Sequence, residues 1–406
     1  MPEHRPFPLF SENPMDSVFA CPPGLNFADA IADGLRERMR DHPRELMGRV
    51  VIYANAARMR DKILQRFQSG TAGFVPKIRL ITDIPSDFGA QPDISPKNTL
   101  QRRLELRQMV SRLVEQEPGL APLSAVPDLS DSLFSLIEEM ADEGVTHSDI
   151  AALDVTDESG HWERAQRFLS IVTNFVGPGS RENIGAAEWF RNGAIALVDQ
   201  WKSEPPKYPV LIVGSTGSRG TTATLMRAAA QTENCALVLP GFDQHMPANV
   251  WNRLALDEPT EDHPQFRFAQ FLADLNMQAG EVLEWANGTT QAQRNRNAVI
   301  SLSLRPAPVT NHWITESQKL VGLSSAMSGV SILEAPDARK EALAIAIAMR
   351  EGLEIGKSTA LITPDPELTR MVTVALRRWN IVPDSSMGQP FGQSPPGRLM
   401  RQPHSR

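Results

Sequence analysis

The first 90 residues alternate between short apolar runs and amphipathic stretches, and this alternation narrows the fold more than any other feature of the sequence. "SVFACPPG", beginning at Ser17, reads as a strand entering a turn. "NFADAIADGLRERM" follows it with apolar residues at the spacing of a helix face. "RVVIYAN" and "AARMRDKILQRF" repeat the pair, and "KIRLITDI" supplies a third strand. Strands separated by helices pair in parallel, because a parallel neighbour needs a crossover connection. The expectation is a doubly wound α/β fold with ligands at the carboxyl ends of its strands.

From about Thr99 to Gln200 the pattern is helical only. "LQRRLELRQMVSRLVEQ", "SLFSLIEEMADEG", "HWERAQRFLSIVTNFV" and "GAAEWFRNGAIALVDQW" predict an all-helical domain inserted in the sheet. Strand signals return in "YPVLIVG" and "CALVLPG", so the sheet is completed after residue 207; "HPQFRFAQFLADLNM" then reads as a helix, followed by a polar stretch, "NGTTQAQRNRN". A second α/β unit is expected near Gly329, with "GVSILEAPD" and "STALITPD" as strands and "ARKEALAIAIAMREGLE" and "PELTRMVTVALRRWNI" as helices. The resulting division is 1–98 and 207–328 for the first domain and its connecting segment, 99–206 for the insertion, 329–390 for the start of the second domain, and 391–406 for an irregular tail.

Several chemistries are excluded or weakened by composition. With 41 Lys and Arg against 48 Asp and Glu the net charge is −7, which argues against a chain that is basic overall. The local basic stretches, Gln101 to Arg107, Arg294 to Arg296 and Arg398 to Arg406, read as solvated helix faces or loops. No apolar run approaches the roughly 20 residues of a membrane helix, and the proline-rich N-terminus lacks a signal-peptide pattern. A cytoplasmic protein without membrane contact is expected. Cys21 and Cys235, the two cysteines, read as small buried apolar residues, too few for a four-cysteine metal site.

The loops that could carry chemistry fail one by one. "LIVGSTGSRGTTATLMRAAA", from Leu211, is an apolar strand, a Gly/Ser/Thr loop and a helix, the place where α/β proteins hold phosphate. It lacks the P-loop lysine and spaces Gly214 and Gly220 by five residues where that motif has four; Gly214, Gly217 and Gly220 also miss the Rossmann spacing. A tight βα turn with Ser, Thr or Gly at the helix N-cap is the simpler reading. The first turn, "ACPPGLNFAD", has prolines without amide hydrogens where phosphate donors would be needed. None of the eight histidines is spaced for a zinc site, "DEPTEDHP" reads as an acidic loop capping the next helix, and "GSTGS" lacks the nucleophile-elbow spacing.

Taken together, "VFACPPG", "YANAARMRDKI", "LIVGSTGSRGTTATLMRAAA", "ALVLPGFDQHMPANVWNRL", "DHPQFRFAQFL", "SLRPAPVTNHW", "EAPDARKEALAIAIAMRE" and "TALITPDPELTRMVTVALRRWNI" resemble the AddB family, the second subunits of bacterial AddAB helicase-nucleases, over nearly all of residues 15 to 400. The resemblance implies a RecA-like, superfamily 1 helicase-like domain with a helical insertion, then a second RecA-like domain. It implies work in double-strand break repair by homologous recombination, binding DNA and an AddA-type partner subunit. Cys21, Pro22, Pro23 and Gly24 would stand as a degenerate ATP loop, and Pro364 and Asp365 where an active relative carries an arginine. Asn55, Arg58, Ser215, Thr216, Ser218 and Arg219 become candidates for contact with the DNA backbone. The family's magnesium and 4Fe-4S cluster belong to a nuclease domain whose carboxylate and cysteine motifs are absent from these 406 residues, so no cofactor is expected in this chain and it reads as truncated before the nuclease. Two alternatives stay open, a nucleotide- or nucleotide-sugar-using α/β enzyme and a non-functional remnant.

Overall fold

The computed structural model describes residues 9–10, 17–70, 73–146, 148–149, 184–217, 220–256, 260–286, 288–386, 388 and 391–401. The chain divides into two compact units, residues 1–327 and 328–406.

The first unit opens with the anticipated alternation: β1 (Val18–Cys21), α1 (Phe27–Arg38), β2 (Val51–Ala54), α2 (Ala57–Gln68) and β3 (Lys77–Leu80). β3 is shorter than the "KIRLITDI" run because Asp83 Oδ2 accepts from the Leu80 amide at 3.1 Å and turns the chain into a helical turn begun by Ile84 and Pro85. Next come α3 (Thr99–Gln116), α4 (Val126–Glu143) and α5 (Ala186–Ser203). The helix expected over 161–176 lies outside the described residues. β4 (Val210–Val213), α6 (Gly220–Ala230), β5 (Cys235–Pro240), α7 (Ala248–Leu256), α8 (Phe266–Asp274), β6 (Leu283–Glu284) and α9 (Gln291–Ser303) follow, with short helical turns after them up to residue 326.

Six strands form one sheet in the order β3-β2-β4-β5-β1-β6, every pair parallel. This is an α/β architecture consistent with double winding. β4 is buried along its whole length, as befits a central strand covered on both faces. On one face Ile31 and Leu35 of α1 and Ile63 and Phe67 of α2 pack on Phe19, Ile52, Leu211 and Val238. On the other, Leu197 and Trp201 of α5, Leu225 and Met226 of α6, Val250 of α7 and Phe271 of α8 pack on Ala20, Tyr53, Ile212 and Leu237. α3 and α4 have a core of their own, built on Leu106, Val110, Phe134 and Ile137.

One reading of the sequence needs correction here, and one stretch left without an element gains one. The basic stretch of α3 is not wholly solvated: Arg102 is buried and ion-paired with Glu138 of α4. The polar stretch "NGTTQAQRNRN" runs into α9, started by a capping box in which the Thr290 hydroxyl accepts from the Gln293 amide at 3.2 Å and the Gln293 side chain accepts from the Thr290 amide at 2.8 Å.

In the second unit α10 (Ala338–Glu354) and α11 (Pro366–Arg377) form where helices are expected. Asp337 and Asp365 cap them, their side chains accepting from the Lys340 and Glu367 amides, each at 2.8 Å. The expected strands do not form: residues 329–337 and 358–365 carry no strand pairing. Their β-branched runs suit a pleated surface, yet among the described residues no ladder partner lies beside them, and a strand alone leaves its backbone groups unpaired. Ile332 and Ile362 are consequently 91% and 95% exposed.

Candidate functional site

In an open parallel sheet, ligands bind where neighbouring strands send their following helices to opposite faces. That occurs at the sheet edge, where β3 leads to Ile84 on the face opposite α2, and at two inner crevices at the carboxyl ends. β2 is followed by α2 on one face and its neighbour β4 by α6 on the other, while β5 leads to α7 and its neighbour β1 to α1. The two crevices carry the two loops singled out from sequence: Cys21 to Gly24 after β1, and Gly214 to Gly220 after β4.

The chain itself closes the crevice between β5 and β1. The Phe242 amide donates to the Cys21 carbonyl at 3.0 Å. From α9, Asn297 Nδ2 donates to the Pro23 carbonyl at 2.9 Å and Gln293 Nε2 to the Gly24 carbonyl at 3.4 Å. A phosphate loop presents amide donors to an anion. This turn has prolines at two of its positions, and three of its carbonyls are taken by donors from elsewhere in the chain. Cys21 is buried, and burial pushes its thiol up to about 12, away from the thiolate form.

At the second crevice the register of β2 and β4 pairs Ala54 with Val213, which brings Asn55 beside Gly214. The Asn55 Oδ1 lies 2.9 Å from where a Cβ on Gly214 would stand. Asn55 and Arg58 are exposed, and Ser215 and Thr216 are half-buried. The Ser215 hydroxyl accepts from the Gly217 amide at 3.2 Å, so it is engaged within the loop. Gly217, with φ of 63°, lies flat on Phe271, whose ring would be 2.7 Å from a Cβ there. Ser218 and Arg219 lie outside the described residues.

The amino end of α6, where an anion would sit, already faces carboxylates. Gly220 donates its amide to Glu143 Oε2 at 3.1 Å, and Thr221 donates its amide to Asp142 Oδ1 at 3.2 Å. A Cβ on Gly220 would lie 2.4 Å from Asp142 Oδ2. The Asp142 carbonyl in turn accepts from Arg191 Nη1 of α5 at 3.1 Å and from the Thr221 hydroxyl at 3.4 Å. The last turn of α4 thus docks on the first turn of α6, and the two helix ends satisfy each other. Carboxylates of α4 therefore accept from the first two amides of α6. Asp142, Glu143 and Arg191 drew no attention in the sequence. The signal was available in "EEMADEG", which places acids in the last turn of a helix, where the macrodipole disfavours them.

The remaining candidates are dispersed. His263 Nδ1 accepts from the Gln265 amide at 3.1 Å just before α8, whose start carries no side-chain cap; Asp257 and Glu258 of "DEPTEDHP" lie outside the described residues. His312 pairs with Glu316, and the His245 amide donates to Asp243. Among the described residues no group of three or more His, Cys, Asp or Glu gathers to hold a metal ion, and no helix is long and apolar enough to cross a membrane.

No protein-family model matches the sequence, and no curated protein matches it. What the site can do must therefore be argued from its own chemistry.

Proposed function

We propose that the chain is a RecA-like, helicase-type subunit that does not hydrolyse ATP, and that it acts in the cytoplasm in double-strand break repair by homologous recombination. On this reading it holds DNA together with an ATP-hydrolysing AddA-type partner. The observation that carries the reading is the state of the first-strand turn, where prolines and engaged carbonyls stand in the place of phosphate-binding amides. A nucleotide there would meet acceptors instead of donors. At the other crevice Asn55 and Arg58 remain on the surface and can hydrogen-bond a nucleic-acid backbone without reading its sequence. The resemblance to the AddB family in the order of motifs supports the choice of pathway and partner.

Titration of the purified full chain with a fluorescent ATP analogue and with a tailed DNA duplex tests both halves. The expected result is no saturable nucleotide binding, together with DNA binding that weakens steeply with salt and strengthens when an AddA-type subunit is added. Saturable nucleotide binding would refute the reading in favour of a nucleotide-using α/β enzyme. Failure to bind DNA at low salt, alone and with the partner, would remove the DNA half.

A further inference from the structure

At the opposite, amino-terminal end of the sheet the chain builds a second concavity. Val51 of β2 is in register with Lys77 of β3 on one side and Val210 of β4 on the other, so the residues that enter these three strands share one edge. A pocket of about 420 Å³ lies there. Arg49, Lys77, Arg79 and Lys207 line it against two carboxylates, Asp87 and Glu204, a local excess of positive charge in a chain whose net charge is −7. Both tyrosines of the chain line it as well. Arg49 lies 5.0 Å from the Tyr208 ring centre and donates to its hydroxyl at 3.2 Å, while Lys207 Nζ is 6.0 Å from the same ring. Tyr53 donates its hydroxyl to Asp87 Oδ2 at 2.9 Å, and Arg79 pairs with the same carboxylate at 3.5 Å. Asp87 is thereby committed to two partners. Arg49, Lys77 and Lys207 reach the surface of the pocket and are exposed.

We propose that this pocket is a site for single-stranded nucleic acid, with Arg49, Lys77 and Lys207 holding backbone phosphates and the wall of Phe88, Pro206 and Tyr208 receiving a base. The chemistry points to a phosphodiester because four cations line the pocket against Asp87, already held by Tyr53 and Arg79, and Glu204, and because the volume falls in the range of organic-ligand pockets, larger than an inorganic anion requires. It points to a single strand because a concave pocket with aromatic and proline walls can take a splayed nucleotide, whereas a duplex presents its convex backbone and keeps its bases stacked. The site rests on the reading of the chain as a DNA-binding protein, and it moves the contact to the end of the sheet opposite the crevices.

The test is a salt titration of the full chain with fluorescent single-stranded DNA, repeated with the same sequence as a duplex. The variant carries Arg49→Gln, Lys77→Gln and Lys207→Gln; all three side chains are exposed, and a thermal melt checks that it is folded. A charge-matched control carries Arg107→Gln, Arg112→Gln and Lys319→Gln. Loss of three phosphate contacts should weaken single-strand binding at least about ten-fold at low salt and flatten the slope of log K against log salt by about 2, at roughly 0.7 per phosphate. The duplex and the control should change far less. If the wild type binds DNA and the triple variant binds it equally, or the control weakens it as much, the pocket proposal is overturned while DNA binding stands. If the wild type binds neither form, the proposal and the reading it rests on both fall.

Discussion

Replacing Asp142 by alanine should loosen the first turn of α6 without unfolding the sheet. The substitution leaves the Thr221 amide, now 3.2 Å from Asp142 Oδ1, without its acceptor. Loss of a capping side chain costs about 1 kcal/mol, within a range of roughly 0.5–2. Removing a carboxylate from a helix N-terminus adds about 0.3–1 kcal/mol at a surface site. The backbone carbonyl of residue 142 keeps its bonds from Arg191 and the Thr221 hydroxyl, so the end of α4 stays anchored. A local loss of one to two kcal/mol makes openings of the turn about 5- to 30-fold more frequent. Hydrogen exchange of the peptide spanning residues 214–226 should accelerate by that factor, while peptides from β4 and β5 exchange as in the wild type. Asp142→Asn retains an acceptor oxygen and should lose only the charge contribution. Added inorganic phosphate should restore protection in Asp142→Ala and leave the wild type unchanged. Wild-type exchange rates in Asp142→Ala would refute the cap, and phosphate protection of the wild-type turn would show that an external anion can displace the carboxylates.

Three other outcomes follow from packing and burial. In α1, a Cβ on Gly34 would lie 2.4 Å from Trp285 Nε1, and Trp285 is 2% exposed and donates to the Ala30 carbonyl, so it has little room to yield. Gly34→Ala should therefore cost about 1–3 kcal/mol through overpacking, read as a lower urea midpoint; an unchanged midpoint would contradict the packing. Burial raises both thiols, Cys21 to about 12 and Cys235 higher still, so neither should react with a thiol reagent at pH 8 until denaturant is added. Fast labelling of the native chain would show that one of them is accessible. Burial lowers the pKa of His263 below its ordinary 6.5, so the unfolded chain takes up a proton there before the folded one does. Stability present above pH 6.5 should decline as pH falls below that value, and the decline should be shallower in His263→Gln.

Much of the fold was legible because its signals are local. Helix periodicity located α1, α2, α10 and α11 to within a residue or two at their starts, and the apolar runs located β1, β2, β4 and β5. What was not legible depends on partners distant in sequence. Residues 329–337 and 358–365 have the side chains of strands, yet strand formation requires a neighbour that propensity cannot supply. α9 was obscured because its first turns are polar; its residues hold other segments in place, Arg296 through the Ala326 carbonyl at 2.6 Å and Asn297 through Pro23. Asp142 and Glu143 lie 79 and 77 residues from the amides they accept from, beyond the reach of any local pattern.

The loop after β4 shows why a glycine-rich βα turn cannot by itself identify a ligand. Glycine is needed wherever a bulky or charged group approaches the backbone closely, and the backbone does not distinguish a bound phosphate from a carboxylate of the same chain. At Gly217 the approaching group is the Phe271 ring, and at Gly220 it is the Asp142 carboxylate. Both requirements are met internally, so the glycines at 217 and 220 do not by themselves call for a nucleotide. The distinguishing sign lies elsewhere in the sequence, in acids placed at the end of a helix against its dipole, where a second helix start can make them favourable. By the same reasoning the open cationic edge at Arg49, Lys77 and Lys207 is the stronger pointer to an external anion: its charges have few internal partners, whereas the loop that resembles a phosphate site has already found its own.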